Sequence, residues 1–331
     1  MNVIEIDKLT KDFNGLRAVD GISFSVKEGE IFGLLGPNGA GKTTTINMLA
    51  TMLMPTSGTA KVCGIDVRQD QDSVRRYIGI VFQDPALDDQ LTGEENLDFH
   101  ARMYGMESKI RKKRIDNVLE IVELKDRAKD IVSKYSGGMR RRLEIARGLM
   151  HYPKVLFLDE PTLGLDAQTR RVIWNYILKL NKRENITIIL TTHYMEEADY
   201  LCNRVAIIDH GKILAIGMPS KLKKLVGEDM ISLSTYDNMK LKKVMAKMKW
   251  IRNMKLHDNF LDIYTESGEK RIPIIIREAE SNGIEVKSVN LRKPTLEDVF
   301  LHYTGKTIRE HEASSPDRLR QHIRIRHRKT W

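Results

Sequence analysis

Residues Gly36-Pro37-Asn38-Gly39-Ala40-Gly41-Lys42-Thr43 follow the pattern G-x-x-x-x-G-K-[ST], which carries phosphate chemistry only where it joins a strand to a helix. Both flanks are present. Residues 31–35 form a short β-prone apolar run, and a helix is predicted from Gly41 through Thr44 and beyond. Glycines let the backbone turn tightly enough for successive N–H groups to converge on a phosphate, and the helix N-terminus adds partial positive charge. In such a loop the lysine, here Lys42, reaches the β and γ phosphates, and the hydroxyl, here Thr43, ligates Mg2+. The loop alone specifies a nucleoside triphosphate and leaves kinases, GTPases and motors open.

A second set narrows the choice. The apolar run 155–158 ends in Asp159 and Glu160, and a buried strand has no packing reason to end in adjacent acids. Asp159 is placed to hold the Mg2+ shell and Glu160 to orient and polarise an attacking water. A third set, Tyr135-Ser136-Gly137-Gly138-Met139, precedes a helix expected to begin near Arg140. A serine and two glycines at a helix start make a second phosphate-binding geometry in one chain.

The elements that position these residues alternate in type. The runs 31–35, 155–158 and 187–191 are near-continuously apolar, as in a parallel sheet buried on both faces. The stretch 91–148 is rich in helix formers and predicts a helical insertion into that sheet domain. After Pro219 the pattern changes. Strand (231–235), helix (238–247), strands near Met254 and Asp262, helix (273–281) and strand (284–290) succeed one another, an order that fits a split βαβ sandwich. The expected organisation is a sheet domain over 1–224, a small α+β domain of ferredoxin-like topology over 225–305, and a basic tail over 306–331.

Composition bounds the rest. The 331 residues exceed one ordinary core, and 41% hydrophobic with 30% charged residues is globular. The longest uncharged stretch, 43–60, is too rich in Thr, Asn, Pro and Gly for a membrane span. The start, with Glu5 and Asp7, does not read as a signal peptide. Cys63 and Cys202 form no C-x-x-C pair and read as small buried residues. The net charge of +10 is concentrated at 318–329, where six Lys/Arg and two His suggest attraction to an anionic membrane surface.

Taken together, the three motifs resemble the nucleotide-binding domain of ATP-binding-cassette (ABC) transporters over roughly residues 1–220. The resemblance implies a P-loop NTPase α/β fold, ATP and Mg2+ as ligands, and ATP hydrolysis. It implies a homodimer in the ATP-bound state, with Ser136, Gly137 and Gly138 contributed to the nucleotide of the opposite subunit. An integral-membrane permease is the implied partner, contacted near residues 83–105, which puts the chain at the cytoplasmic face of the membrane. Phe13 resembles the aromatic that stacks on adenine, and Gln83 the glutamine that senses Mg2+. Asp166, in Leu163-Gly164-Leu165-Asp166, resembles the aspartate communicating across the dimer, and His193 the histidine on the γ-phosphate. Tyr135 departs from the commoner leucine. Residues 285–305 are similar to the C-terminal segment of daunorubicin-resistance-type ATPases, which serve exporters of drugs, lipids or polysaccharides. No specific nucleic acid is expected. ABC ATPases of translation generally carry two cassettes and those of repair a long coiled coil, and neither is present in this sequence.

Overall fold

The structure, a computed structural model, describes residues 1–84, 86–257 and 260–304. The basic tail expected over 306–331 lies outside the described residues. The chain forms two compact units, the first running from Met1 to Pro219 and the second beginning at Ser220.

A six-stranded sheet organises the first unit, in the order Lys212–Gly217, Arg204–Asp209, Ile31–Leu35, Thr187–Thr192, Val155–Asp159 and Ile78–Val81. All neighbours are parallel except the first pair. The three central strands are buried at every position, as their unbroken apolar runs require of strands covered on both faces. Their register pairs Leu35 with Thr192 and Asp159 with Thr191. The C-terminal ends of all three therefore open on one edge, where ligands bind in parallel α/β sheets.

An antiparallel sheet of Leu16–Lys27, Asn2–Phe13, Ser57–Val62 and Ile65–Asp66 flanks this core. The buried-strand pattern does not reveal it, because its strands alternate between buried and exposed positions. Asn14 and Gly15 turn the first hairpin with φ of 40° and 89°, the left-handed pair that matches the twist of the flanking strands. The inner face joins the main core, with Phe24 stacked on Phe32 at 5.1 Å.

Helices fill the stretch expected to be a helical insertion over 91–148: Gly93–Met103, Ser108–Ile121 and Gly137–Gly148. The first starts with a capping box between Thr92 and Glu95, each side chain satisfying the other's free backbone N–H. The third begins at Gly137, earlier than the start expected near Arg140, because the Ser136 hydroxyl caps it by accepting from the Met139 N–H.

The second unit is an antiparallel sheet in the order Ile251–His257, Phe260–Thr265, Asp229–Thr235 and Val286–Arg292. Helices Asn238–Met245 and Gly268–Ser281 cross over it, which is the split βαβ arrangement. Ile231, Leu233, Leu241, Met245, Ile263 and Ile275 build its core. Two helices correct the sequence pattern. One covers Pro219–Val226, with Pro219 at its first position, where the missing N–H is no loss. The other starts at Gly268 rather than Pro273 and carries the proline inside it. Among the described residues no helix is long and apolar enough to cross a membrane.

Candidate functional site

The loop 36–43 leaves strand Ile31–Leu35 and enters helix Lys42–Leu49 at the open edge of the central sheet. Gly41 has φ 101°, and a Cβ there would lie 2.5 Å from the Ala18 carbonyl oxygen. At Gly36 a Cβ would come within 2.1 Å of the Ile208 carbonyl, so both positions demand glycine. The helix has no side-chain cap and no acid in its first turn. Its leading N–H groups are thus unshielded by any carboxylate of their own, the electrostatic setting an anion needs.

Lys42 is 5% exposed. Its Nζ donates to the carbonyl oxygens of Gly36 (2.7 Å) and Pro37 (3.1 Å) and pairs with Glu160 Oε1 at 3.2 Å. Asp159 and Glu160, both buried, close the end of strand Val155–Asp159. Thr43 Oγ1 donates to Asp159 Oδ1 at 3.1 Å, and Thr191 Oγ1 donates to the same oxygen. The Glu160 N–H donates to Thr191 Oγ1 at 3.0 Å, while Glu160 Oε2 meets His193 Nδ1 at 2.9 Å.

Glu160 is thus flanked by a cation on one oxygen and an imidazole on the other. Burial pushes its carboxyl upward, but the His193 hydrogen bond and the Lys42 charge outweigh that and hold it below the ordinary value. For Asp159 burial wins, raising the carboxyl despite the hydroxyls of Thr191 and Thr43. A buried carboxylate whose charge is under-compensated and that shares a hydrogen bond with a threonine hydroxyl is a fit for a hard divalent cation. Among the described residues no three His, Cys, Asp or Glu side chains are arranged to hold a metal ion by themselves, so such an ion would complete its shell with phosphate and water, as Mg2+ commonly does.

One hydrogen-bonded cluster therefore contains Lys42, Thr43, Asp159, Glu160 and His193. Thr191 belongs to it and was not among the candidates. The signal for it is the pair Thr191–Thr192 that closes the apolar run 188–190 of a buried strand, where a hydroxyl has little reason to be buried without a polar partner. Gln83 is exposed just beyond strand Ile78–Val81, and among the described residues no hydrogen bond joins it to Thr43 or Asp159. Phe13 stands at the tip of the first hairpin, 41% exposed, with Lys11 Nζ 5.0 Å from its ring centre. That is an open aromatic face beside a cation, not a core phenylalanine.

Ser136, Gly137, Gly138 and Asp166 form a separate group. A Cβ on Gly138 would meet the Thr169 methyl at 2.6 Å, and one on Gly137 would meet Leu165 at 3.3 Å. Asp166 caps helix Ala167–Glu184 through the Thr169 N–H at 2.9 Å. The two helix starts are thereby packed against each other, and among the described residues no hydrogen bond joins Ser136, Gly137, Gly138 or Asp166 to a side chain of the Lys42 cluster. Tyr135 is buried, and its hydroxyl donates to the Arg127 carbonyl at 2.7 Å. Tyr135→Phe should lower unfolding stability by about 1 kcal/mol, the usual net loss of one hydrogen bond, and leave nucleotide turnover unchanged; thermal melts and an ATPase assay measure both.

Comparison with known proteins agrees with this geometry. Residues 19–163 match the ABC transporter family, and residues 217–304 match the family described as ATP-binding protein DrrA1-3-like, C-terminal domain. The linearmycin resistance ATP-binding protein LnrL of Bacillus subtilis is 39% identical over 312 residues, covering 93% of this chain and 100% of that protein. The daunorubicin/doxorubicin resistance ATP-binding protein DrrA of Streptomyces peucetius is 38% identical, covering 91% and 92%. The solved structure of cbiO1 from Clostridium perfringens, part of the ABC transporter complex cbiONQ, aligns with a TM-score of 0.64 and 28% identity over 75% of this chain and 96% of that one. Strand order, phosphate loop and relatives converge, and the chain belongs to the ATP-binding subunits of ABC transporters, as an ATPase whose cassette is followed by a DrrA1-3-like C-terminal domain.

Proposed function

We propose that two copies of this chain close head to tail on two ATP molecules and so drive export through a separate membrane permease, held at its cytoplasmic face. The observation that carries the dimer is the division of the motifs into two groups within one chain. Lys42, Thr43, Asp159, Glu160 and His193 are bonded to one another, and Ser136 with Asp166 stands apart from them. A second copy supplies the missing half of each site. Phe13 stacks on the adenine, residues 36–44 cradle the phosphates, and Glu160 takes a proton from the attacking water while His193 fixes the carboxylate. Thr43, Asp159 and Gln83 would hold Mg2+, which supplies charge neutralisation on the β and γ phosphates. ATP favours the closed pair and hydrolysis the open one, and this difference in affinity is what can drive a conformational cycle.

Complementation tests the shared site. Lys42→Ala and Ser136→Arg should each abolish ATPase activity, yet a mixture should recover part of it. A mixed pair keeps one complete site, the Lys42 loop from one copy and the Ser136 segment from the other. A mixture no more active than its components would dispose of the composite site.

Export is proposed from the relatives, which are named for resistance to linearmycin and to daunorubicin and doxorubicin. For the permease, the helical segment offers Phe99 at 61% and Met103 at 72% exposure on one helix. Large apolar side chains exposed together mark a protein contact. Phe99→Glu with Met103→Glu should reduce co-purification with the permease severalfold while the isolated chain hydrolyses ATP normally. Equal recovery of the permease would place the contact elsewhere.

A further inference from the structure

We propose that the buried pair Arg141–Glu144 is a positioning device, which locks the loop carrying Gln83 to the turn carrying Glu160. Both residues lie on helix Gly137–Gly148, which begins directly after Ser136. The inference rests on the reading of Glu160 and Gln83 given above and adds to it a physical connection between them.

The guanidinium of Arg141 has five N–H donors in a planar fork, and five acceptors surround it. Nε donates to the Pro161 carbonyl at 2.8 Å, and Nη2 to those of Asp159 at 2.9 Å and Glu160 at 3.2 Å. Nη1 donates to the Phe82 carbonyl at 2.7 Å and to Glu144 Oε2 at 2.8 Å. Three consecutive carbonyls of the Glu160 turn are thus held by one side chain. Glu160 itself has φ 46°, a left-handed conformation that a non-glycine residue keeps only where its surroundings over-determine it. Arg141 is such a surrounding.

The other end of the connection grips the Gln83 loop on both sides. Arg141 takes the carbonyl of Phe82, Glu144 Oε1 accepts from the Ala86 N–H at 3.0 Å, and Arg147 donates to the Ala86 carbonyl. Gln83 is left exposed between two fixed points. A shift of that loop is therefore felt at the carbonyls of Asp159 and Glu160 through a single rigid group. A fold seeking stability alone gains little here, since a buried ion pair is often no better than apolar packing of the same volume. What the pair provides is geometry: charge-assisted bonds aimed at the two segments that carry the water-activating and metal-sensing residues.

The test is steady-state ATPase kinetics of the full chain, with affinity for a non-hydrolysable ATP analogue, for Arg141→Lys, Glu144→Gln, their double variant and Glu160→Gln. Lysine carries a compact ammonium with three donors and cannot span five acceptors. Misplacing a reacting group by about 1 Å can cost about 10²-fold, so R141K should lower kcat by that order with KM and analogue affinity at wild-type values. E144Q should lower kcat less, by roughly tenfold, because the amide oxygen still accepts from Arg141. The double variant should fall no further than R141K, since both changes cut one connection. A purely structural pair would lower the melting temperature and leave kcat per folded molecule unchanged, which overturns the proposal, as does a loss confined to KM. If R141K does not fold, E144Q decides on the same two criteria. Normal turnover in E160Q removes the premise and the proposal with it; an inactive E160Q beside a fully active R141K removes only the role of the pair.

Discussion

Replacing Glu160 by Gln is expected to slow ATP hydrolysis by about 10²- to 10⁴-fold, the range a positioned general base contributes, with nucleotide binding retained. The amide keeps the size of the side chain and an oxygen for one partner, but it has no charge with which to draw a proton from water. The surroundings of Glu160 keep it in the charged form that can accept such a proton, and in one place. It is buried, it is held below the ordinary carboxyl value by His193 and Lys42, and its backbone is fixed in a left-handed turn. ATP bound without turnover should then accumulate the closed pair, visible as an ATP-dependent dimer on a sizing column. A variant that turns over at the wild-type rate would show that another group activates the water.

The same substitution has a signature in acid. The depressed folded-state value means that the charged carboxylate stabilises the fold at any pH above its unfolded value. That contribution is lost as pH falls through the folded value. Asp159, raised by burial, acts in the opposite sense. Its ionisation disfavours the fold as pH rises past the unfolded value, until a cation offsets the charge. In E160Q the acid-induced loss contributed by Glu160 is absent, so the difference in melting temperature between the two proteins should shrink as pH drops below about 4.

Much of this site is legible in the sequence because its residues lie at strand ends fixed by simple rules. An apolar run closing in two acids can only be a buried strand meeting a polar edge, and a glycine loop between strand and helix can only turn one way. Asp159, Glu160, Lys42 and Thr43 therefore come together as the pattern requires. Other parts stay hidden for equally physical reasons. Arg141 reads as one of three arginines on a helix, Arg140 to Arg142, and nothing in that run says which one is buried; only the tertiary fold points it at three successive carbonyls. Thr191 is masked by the strand it belongs to. The antiparallel sheet escapes because its strands alternate between buried and exposed positions instead of running apolar throughout, and register shifts between Ile6 and Leu9 and between Lys11 and Asp12 interrupt even that alternation. The helix start near Ser136 is displaced because glycines argue against a helix, while the serine cap argues more strongly for one.

Lys42→Ala acts on a different quantity, affinity. Charge-assisted hydrogen bonds contribute about 1.5–3 kcal/mol each, so losing the ammonium should weaken ATP binding by roughly 10- to 100-fold. The damage extends beyond the lost contact. Lys42 Nζ lies 3.2 Å from Glu160 Oε1 and 2.7 Å from the Gly36 carbonyl, so alanine strands a buried carboxylate and opens the phosphate loop's own bracing. Glu160 then retains His193 as its counter-group, and its carboxyl should titrate higher than in the parent chain, since one of the influences holding it down is gone. The prediction is a protein that binds a fluorescent ATP analogue weakly and melts at lower temperature at neutral pH, with much of the melting difference recovered on acidification, where Glu160 is neutral in both. Full retention of nucleotide affinity would remove Lys42 from the phosphate site. Lost affinity with an unchanged melting curve would mean that its ion pair with Glu160 adds nothing to the fold, and that the two residues meet there for the sake of the nucleotide alone.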